Sequence, residues 1–260
     1  YVMSKKNESL GKTVGVVLAL CLVCSIVVSG AAIGLKPMQE RNAALAMQEN
    51  ILDAAGILEK GMDVPAVYKE RIQPLVVSLK DYQVMQDVNP SDFDNRKAAG
   101  DPERSTKLPK SDDPAGLGTR ENMTEVYLIK DGNGGTNGAV LHIRGQGLWG
   151  TIYGLIALED DFNTVKGVKF YEHSETPGLG GEITNPAWVK TWQGKELYGD
   201  DGQVQFDLVK GGASGEHEVD ALSGATLTSN GVDALIQFWM GDDAYGPLLD
   251  KLRKGELTNG

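Results

Sequence analysis

The feature that most constrains the fold of this chain is an uncharged, largely apolar stretch at residues 14–35. As an α-helix, this stretch would measure roughly 33 Å, which is enough to cross the hydrocarbon core of a bilayer. The alternative is a cleaved signal peptide, because the small residues Ser29 and Ala31 follow an apolar run at residues 14–28. The uncharged stretch exceeds the usual core of a signal peptide, and a helical pattern follows it. We therefore predict a retained transmembrane helix.

Basic residues flank this stretch unequally. Three precede it and two follow it closely, namely Lys5, Lys6 and Lys12 against Lys36 and Arg41. Because basic residues tend to remain on the cytoplasmic side of a membrane, this slight bias predicts a cytoplasmic segment at residues 1–13 and an exported remainder.

Both cysteines of the chain, Cys21 and Cys24, lie inside the apolar stretch. The exported part therefore contains no cysteine and no disulfide. A C-x-x-C pair on one lipid-embedded helix supplies only part of a metal's ligands, so we interpret these cysteines as packing residues.

The composition of the chain is that of a globular protein. Its 260 residues are 41% hydrophobic and 23% charged, which is sufficient for a sizeable core. The formal net charge of -11 disfavours a nucleic-acid partner.

The pattern beyond the apolar stretch predicts an α+β fold. An amphipathic helix is predicted at residues 36–58 and a strand at 74–79, followed at 86–122 by a long solvated loop with four prolines. We assign residues 36–122 to a helical connector with this loop and residues 123–257 to the folded domain. Short connections between the strands of that domain indicate an antiparallel sheet with packed helices. The predicted strands are residues 125–130, 139–144, 151–158, 164–171 and 204–209, and the predicted helices are residues 185–193, 227–240 and 247–254.

The segment at residues 220–229, Asp-Ala-Leu-Ser-Gly-Ala-Thr-Leu-Thr-Ser, opens the last strongly helical run. Ser223 and Thr226 are residue types that cap helices, and Gly224 permits a tight turn. The segment therefore predicts free backbone amides at residues 225–229, where N–H groups and the helix dipole favour a phosphate. Three hydroxyls would add donors, those of Ser223, Thr226 and Thr228. On local chemistry alone, an ordinary N-capped helix is the better explanation.

A resemblance to a known family changes that balance. The pattern Asp220-x-x-Ser223-Gly224-Ala225-Thr226 resembles the flavinylation motif of the FMN-binding domain family, in which a flavin transferase esterifies the phosphate of FMN onto the last threonine. The resemblance implies that Thr226 carries covalent FMN and that Asp220 stands where the transferase requires it. It also implies that Gly224 and Ala225 allow a close approach to the phosphate.

Two glycine-rich segments, Gly-Gln-Gly-Leu-Trp-Gly at 145–150 and His-Ser-Glu-Thr-Pro-Gly-Leu-Gly-Gly at 173–181, resemble the electron-transfer subunits of one branch of this family. They suit a flavin, because large apolar side chains can pack on the isoalloxazine ring while backbone amides meet its polar edge. The predicted ring contacts are Leu148, Trp149 and Leu179. The predicted polar contacts are Glu175, Thr176, Gly178 and Gly180, with Lys210 near the phosphate or the pyrimidine edge.

The function that this resemblance implies is a membrane-anchored flavoprotein that relays electrons within a sodium-pumping NADH:quinone oxidoreductase complex. Its implied partners are the other membrane subunits of the complex and, during maturation, a flavin transferase. The implied location is the bacterial inner membrane, with the FMN domain in the periplasm. The chain would be one subunit of the enzyme rather than a complete enzyme, with no catalytic residue and no metal of its own.

Four alternative functions are less consistent with the sequence. A subunit of a related ion-pumping electron-transport complex would share the same motifs, and a non-catalytic anchored binding module would keep the fold without the flavin. A metal-dependent hydrolase would need convergent ligands from the three histidines and one glutamate, His142, His173, His217 and Glu175. A serine hydrolase would use Ser214, but the segment around it lacks the last glycine of a nucleophile elbow.

Overall fold

The structure, a computed structural model, describes residues 10–257. Lys5 and Lys6, on which the predicted topology partly depends, lie outside these residues. The chain divides into two compact units, Tyr1–Met47 and Gln48–Gly260.

The apolar stretch belongs to α1 (Leu10–Ala54), which is long and apolar enough to cross a membrane. The helices predicted at residues 14–35 and 36–58 form one continuous helix that passes through Pro37. The residues after this proline are mostly Ala, Leu, Met, Gln and Glu, whose high helix propensity favours continuation. The helix ends at Ala54, before the predicted end at residue 58, because Gly56 takes a left-handed conformation with φ of 68°.

The second unit has an α+β fold with an antiparallel sheet, as the sequence predicts. Its sheet has five strands in the order β1-β4-β5-β6-β7, and every neighbouring pair is antiparallel. In chain order, the elements after α1 are α2 (Val64–Arg71), β1 (Ile72–Ser78), α3 (Asn95–Gly100), β2 (Ser105–Lys107), β3 (Thr119–Glu121), β4 (Met123–Lys130), β5 (Thr136–Gln146), β6 (Thr151–Leu158), β7 (Val165–Glu172), α4 (Pro186–Lys190), β8 (Asp207–Val209), β9 (Glu218–Asp220), α5 (Thr226–Met240) and α6 (Gly246–Arg253), with 3-10 turns at Pro90–Asp92, Lys110–Asp112 and Gly180–Thr184.

One face of the sheet forms the main core with α5 and α6. Val126 pairs with Leu141, and Leu141 pairs with Ile156, so that a row of buried side chains crosses three strands. This row belongs to the same hydrophobic cluster as Leu235 on α5. The indole nitrogen of Trp239, also on α5, donates to the carbonyl of Arg144 on β5 at 2.7 Å. These contacts fix where α5 lies on the sheet, and so where it begins.

The opposite face of the sheet contacts the end of α1. A Cβ atom on Gly167 of β7 would lie 2.5 Å from the carbonyl oxygen of Ala54, so only glycine allows this close approach. The ammonium group of Lys169 lies 2.6 Å from the carboxylate of Asp53 beside it.

The prediction of a long solvated loop at residues 86–122 is wrong. This segment contains α3 and the antiparallel pair β2–β3, and Ala98 and Ala115 within it are buried. Side chains bonded to nearby amides hold it, as where Asp94 accepts from the first amides of α3. The carbonyl of Ala115 also accepts from the amide of Gln146 at 2.7 Å, which anchors the segment at the end of β5. Such local and distant contacts produce no hydrophobic periodicity, so the sequence pattern does not reveal them.

The predicted strand at residues 204–209 is shorter in the structure. It begins at Asp207, while Val204 forms an isolated bridge with Tyr198. This strand, β8, pairs in parallel with β9, outside the five-stranded sheet. Val209 lies opposite Asp220, so both strands end at the same edge.

Candidate functional site

The start of α5 differs in detail from the predicted capped helix. Ala225 occupies the N-cap position, and no side chain caps the helix, so the prediction that Ser223 and Thr226 act as caps is wrong. The turn before the helix is closed from behind, because the hydroxyl of Ser229 accepts from the amide of Leu222 at 3.0 Å. Gly224 has φ of 75°, which agrees with the expected tight turn.

The free amides at this helix start are fewer than predicted. The amide of Ala225 donates to the carbonyl of Leu222 at 3.2 Å, and the amide of Ser229 donates to Ala225 at 2.9 Å. The amides of Thr226, Leu227 and Thr228 make no hydrogen bond to any other part of residues 10–257. Three unpaired N–H groups at the positive end of a helix form a site that favours a phosphate.

The two threonines of this turn differ in exposure. The side chain of Thr226 faces solvent, whereas Thr228 is 1% exposed and its hydroxyl donates to the carboxylate of Glu175. A buried, engaged hydroxyl is unavailable to a modifying enzyme. Thr226 is therefore the accessible threonine hydroxyl beside the free amides.

A cleft opens beside the helix start. It contains about 550 Å³ of space, part of which is open to solvent, and its size lies in the range of small-ligand sites. Its lining residues come from the turn between β5 and β6, the segment after β7 and the start of α5: Leu148, Trp149, Glu175, Thr176, Leu179, Gly180, Gly224, Ala225, Thr226, Leu227 and Thr228. The structure thus brings together three segments that are far apart in the sequence.

Large apolar side chains at the cleft are unusually exposed. Trp149 is 67% exposed and Leu227 is 61% exposed, and Leu148 and Leu179 are each nearly half exposed. A flat apolar group bound in the cleft would cover such surfaces. Leu227 is not among the residues predicted for the site, since its spacing assigned it to the apolar run of α5. Its place at the second position of the helix, beside the flavinylation motif, was the available signal.

The segment after β7 presents backbone donors. The amides of Thr176, Gly178 and Gly180 make no hydrogen bond within residues 10–257, and Gly178 has a positive φ of 75°. Thr176 and Gly180 line the cleft, but Gly178 is not among its lining residues. Unpaired amides next to exposed apolar side chains match the needs of a flavin, whose ring is apolar on its faces and polar at one edge.

Glu175 lies beneath these donors and is 4% exposed. One carboxylate oxygen accepts from the amide of Trp149 at 3.0 Å, and the other accepts from the hydroxyl of Thr228. Its own amide donates to the Nδ1 atom of His173 at 3.1 Å, which requires that this nitrogen carry no proton.

Three residues predicted for the site do not line the cleft, namely Asp220, Ser223 and Lys210. Asp220 ends β9, and its carboxylate accepts from the amide of Ala213 at 2.8 Å. The indole nitrogen of Trp188 donates to its carbonyl at 2.7 Å. Lys210 follows β8 directly, so the parallel pairing of β8 and β9 places it at the edge where Asp220 lies. These residues adjoin the flavinylation motif from the side of β8 and β9.

The residues of the two predicted hydrolase alternatives do not converge. The Nε2 atom of His142 lies 3.0 Å from the hydroxyl of Tyr127, His173 bonds to the backbone of its own loop, and His217 contacts the carbonyl of Glu196. Residues 10–257 contain no group of three or more His, Cys, Asp or Glu side chains that could hold a metal ion. Near Ser214, the backbone amide is bonded to the carboxylate of Glu218 at 2.8 Å.

Comparisons with known proteins agree with the cleft. Residues 147–241 match the model of the FMN-binding domain, and this range includes all three segments that line the cleft. The chain is similar to the NqrC subunit of the Na(+)-translocating NADH-quinone reductase of Yersinia pestis, with 44% identity over 98% of each chain. It is also similar to the corresponding protein of Vibrio alginolyticus, with 46% identity over 98% of this chain and 100% of the relative. Its fold matches the crystal structure of Shewanella oneidensis NqrC with a TM-score of 0.76 and 39% identity, over 80% of this chain and 97% of that chain.

The α+β fold, the cleft and the matched domain model define a protein with an FMN-binding domain that follows one N-terminal apolar helix. Identity at this level over nearly the full length of the relatives narrows the class further. The chain belongs to the NqrC family of Na(+)-translocating NADH-quinone reductase subunits.

Proposed function

We propose that this chain carries FMN, joined through its phosphate to Thr226, and relays electrons within a sodium-pumping NADH:quinone oxidoreductase complex. The observation that carries the proposal is the exposed hydroxyl of Thr226 on a helix start with three unpaired amides, at the mouth of an apolar cleft. The amides of Thr226, Leu227 and Thr228 would hold the phosphate. Gly224 and Ala225 leave the backbone open to it.

The cleft fits the ring of FMN beside that phosphate. Leu148, Trp149 and Leu179, with the additional Leu227, would pack on the faces of the ring, and the amides of Thr176, Gly178 and Gly180 would donate to its polar edge. Bound FMN would supply reversible electron transfer. The chain itself offers no substrate pocket for NADH or quinone by any motif in its sequence, so its own residues would hold and orient the cofactor.

A covalent phosphate bond suits a domain outside the cytoplasm. Such a bond removes the dependence of occupancy on the concentration of free cofactor, which mass action otherwise imposes. Asp220 and Lys210, which share one edge beside the motif, would face the flavin transferase and the phosphate respectively.

The attachment is tested by mass spectrometry of the denatured full-length chain, extracted from membranes. We expect one FMN residue on Thr226, and its loss in Thr226→Ala. Thr176→Val is the matched control, because Thr176 is an exposed threonine of the same cleft that lies outside the helix start, and the label should remain. A denatured chain without covalent FMN, or with FMN on another residue, would contradict the assignment.

We also propose that α1 is retained as a single-pass anchor in the bacterial inner membrane, with the N-terminus in the cytoplasm and the FMN domain in the periplasm. Its length and apolar composition support the anchor, and the lysine bias supports the orientation. Sequencing the N-terminus of the mature membrane-bound chain tests retention, since a start near Ala32 would mean that the helix had been cleaved. Protease added outside spheroplasts should digest the FMN domain, and full protection would reverse the orientation.

A further inference from the structure

Glu175 connects three segments of the cleft from beneath. It belongs to the segment after β7, its Oε1 atom accepts from the amide of Trp149 in the turn between β5 and β6, and its Oε2 atom accepts from the hydroxyl of Thr228 on α5. From the sequence, Glu175 is predicted to contact the flavin. Its side chain is almost fully buried, and the chain itself engages both oxygens, so its main contacts are to the protein.

Two glycines leave room for this carboxylate. A Cβ atom on Gly147 would lie 2.5 Å from Oε1 and 2.9 Å from the side chain of Ile152. A Cβ atom on Gly180 would lie 2.6 Å from Oε2 and would also collide with the hydroxyl of Thr228. Neither glycine has a positive φ, so the backbone conformation does not require glycine at either position. The absent side chains are explained by the space that the carboxylate and its two partners occupy.

We propose that Glu175 is a positioning residue that couples the ring side of the cleft to its phosphate side. Through Oε1 it holds the turn that carries Leu148 and Trp149, and through Oε2 it holds the first turn of α5, where Thr226 lies. The orientation of the apolar surfaces relative to the attachment point then depends on one buried side chain. This inference rests on the proposed function for its role toward FMN, but the coupling itself is a property of the chain without the cofactor.

The coupling is tested by amide hydrogen exchange at Trp149 in the flavin-free full-length chain, with Thr228→Val as the main variant. Thr228 does not bond to Trp149, and valine keeps the shape of threonine while it removes the donor to Oε2. Loss of one hydrogen bond in the network should speed exchange at Trp149 about fivefold to tenfold. Thr228→Ser, which keeps the donor, should restore slow exchange.

A second pair of variants guards against a folding defect. In Glu175→Gln, the amide group can accept from Trp149 and donate to the hydroxyl of Thr228, so exchange at Trp149 should remain within about twofold of the unaltered chain. Glu175→Ala should release it. Glu182→Gln is the matched control, because Glu182 lies in the same segment and its carboxylate contacts Asn185 instead. In the flavin-loaded chain, Thr228→Val should lower the fluorescence anisotropy of the ring, and Thr228→Ser should not.

Unchanged exchange at Trp149 in Thr228→Val would overturn the coupling, even if FMN were present on Thr226. Faster exchange in Thr228→Val with recovery in Thr228→Ser would support it. If the unaltered chain carried no covalent FMN but the coupling held, the proposed function would fail while the positioning role of Glu175 would stand.

Discussion

Replacing Glu125 with glutamine should change the pH dependence of stability. Glu125 lies on β4, on the face of the sheet away from α5, and its side chain is 16% exposed. Its Oε2 atom lies 3.3 Å from the amide nitrogen of Asn95 and 3.8 Å from Nε2 of His142. Burial raises the pKa of Glu125 to about 7, the charge of Asp94 adds to this effect, and a hydrogen bond from Tyr127 opposes it. Burial and the charge of Arg96 lower the pKa of His142 to about 4, so this histidine offers no positive charge near neutral pH.

The magnitude follows from the two pKa values of Glu125. In the unfolded chain the carboxyl loses its proton near its ordinary pKa of 4.5, but in the folded chain it keeps the proton until about pH 7. The folded state therefore binds more protons between these values, and its stability falls as the pH rises through this range. The full difference corresponds to roughly 3 kcal/mol. Glutamine cannot ionise, so Glu125→Gln should change stability little at pH 4.5 and raise it by roughly 2 to 3 kcal/mol at pH 8.

The assay is urea unfolding of the full-length chain in detergent, followed by tryptophan fluorescence at pH 4.5 and pH 8. Glu59→Gln serves as the control, because Glu59 is exposed and its substitution should have the same small effect at both pH values. An equal change for Glu125→Gln at the two pH values would refute the reasoning. It would mean that the buried carboxyl has the same proton affinity in the folded and the unfolded chain.

Two further predictions concern the cleft and its supporting helix. Leu179→Ala should leave covalent flavin on Thr226 but remove apolar contact with the ring on the order of 1 to 2 kcal/mol, so the anisotropy of flavin fluorescence should fall and the midpoint potential should shift; if both stay unchanged, residues 173–181 do not contact the ring. Gly231→Ala should destabilise the domain by roughly 1 to 3 kcal/mol in urea unfolding, because a Cβ atom there would lie 2.5 Å from the carbonyl oxygen of Gln146. The control Gly100→Ala, in open space on α3, should be neutral or slightly stabilising, and similar effects of both substitutions would argue against close packing of α5 on the end of β5.

The strands that sequence patterns predicted best are those of the central sheet. Alternation and short connections indicated residues 151–158 without error, and the other four predicted central strands lie within a few residues of the observed ones. These segments depend on neighbours in sequence, since each strand pairs with the next one along the chain from β4 to β7. Residues 86–122 were mispredicted because their order depends on capping by Asp94 and on the contact of Ala115 with Gln146, neither of which leaves a periodic signal.

The sequence by itself determined the membrane-length apolar helix, the α+β class and the motif that points to Thr226. These properties follow from uncharged length, from alternation and from residue types at fixed spacing, all of which are local. The tertiary structure decided which hydroxyl is accessible. Thr226 and Thr228 are both threonines of one helical turn, but Glu175, which is 53 positions from Thr228, buries and engages only the second. Burial depends on which distant segments the fold brings together, so sequence patterns alone could not distinguish the two threonines or reveal the place of Leu227 in the cleft.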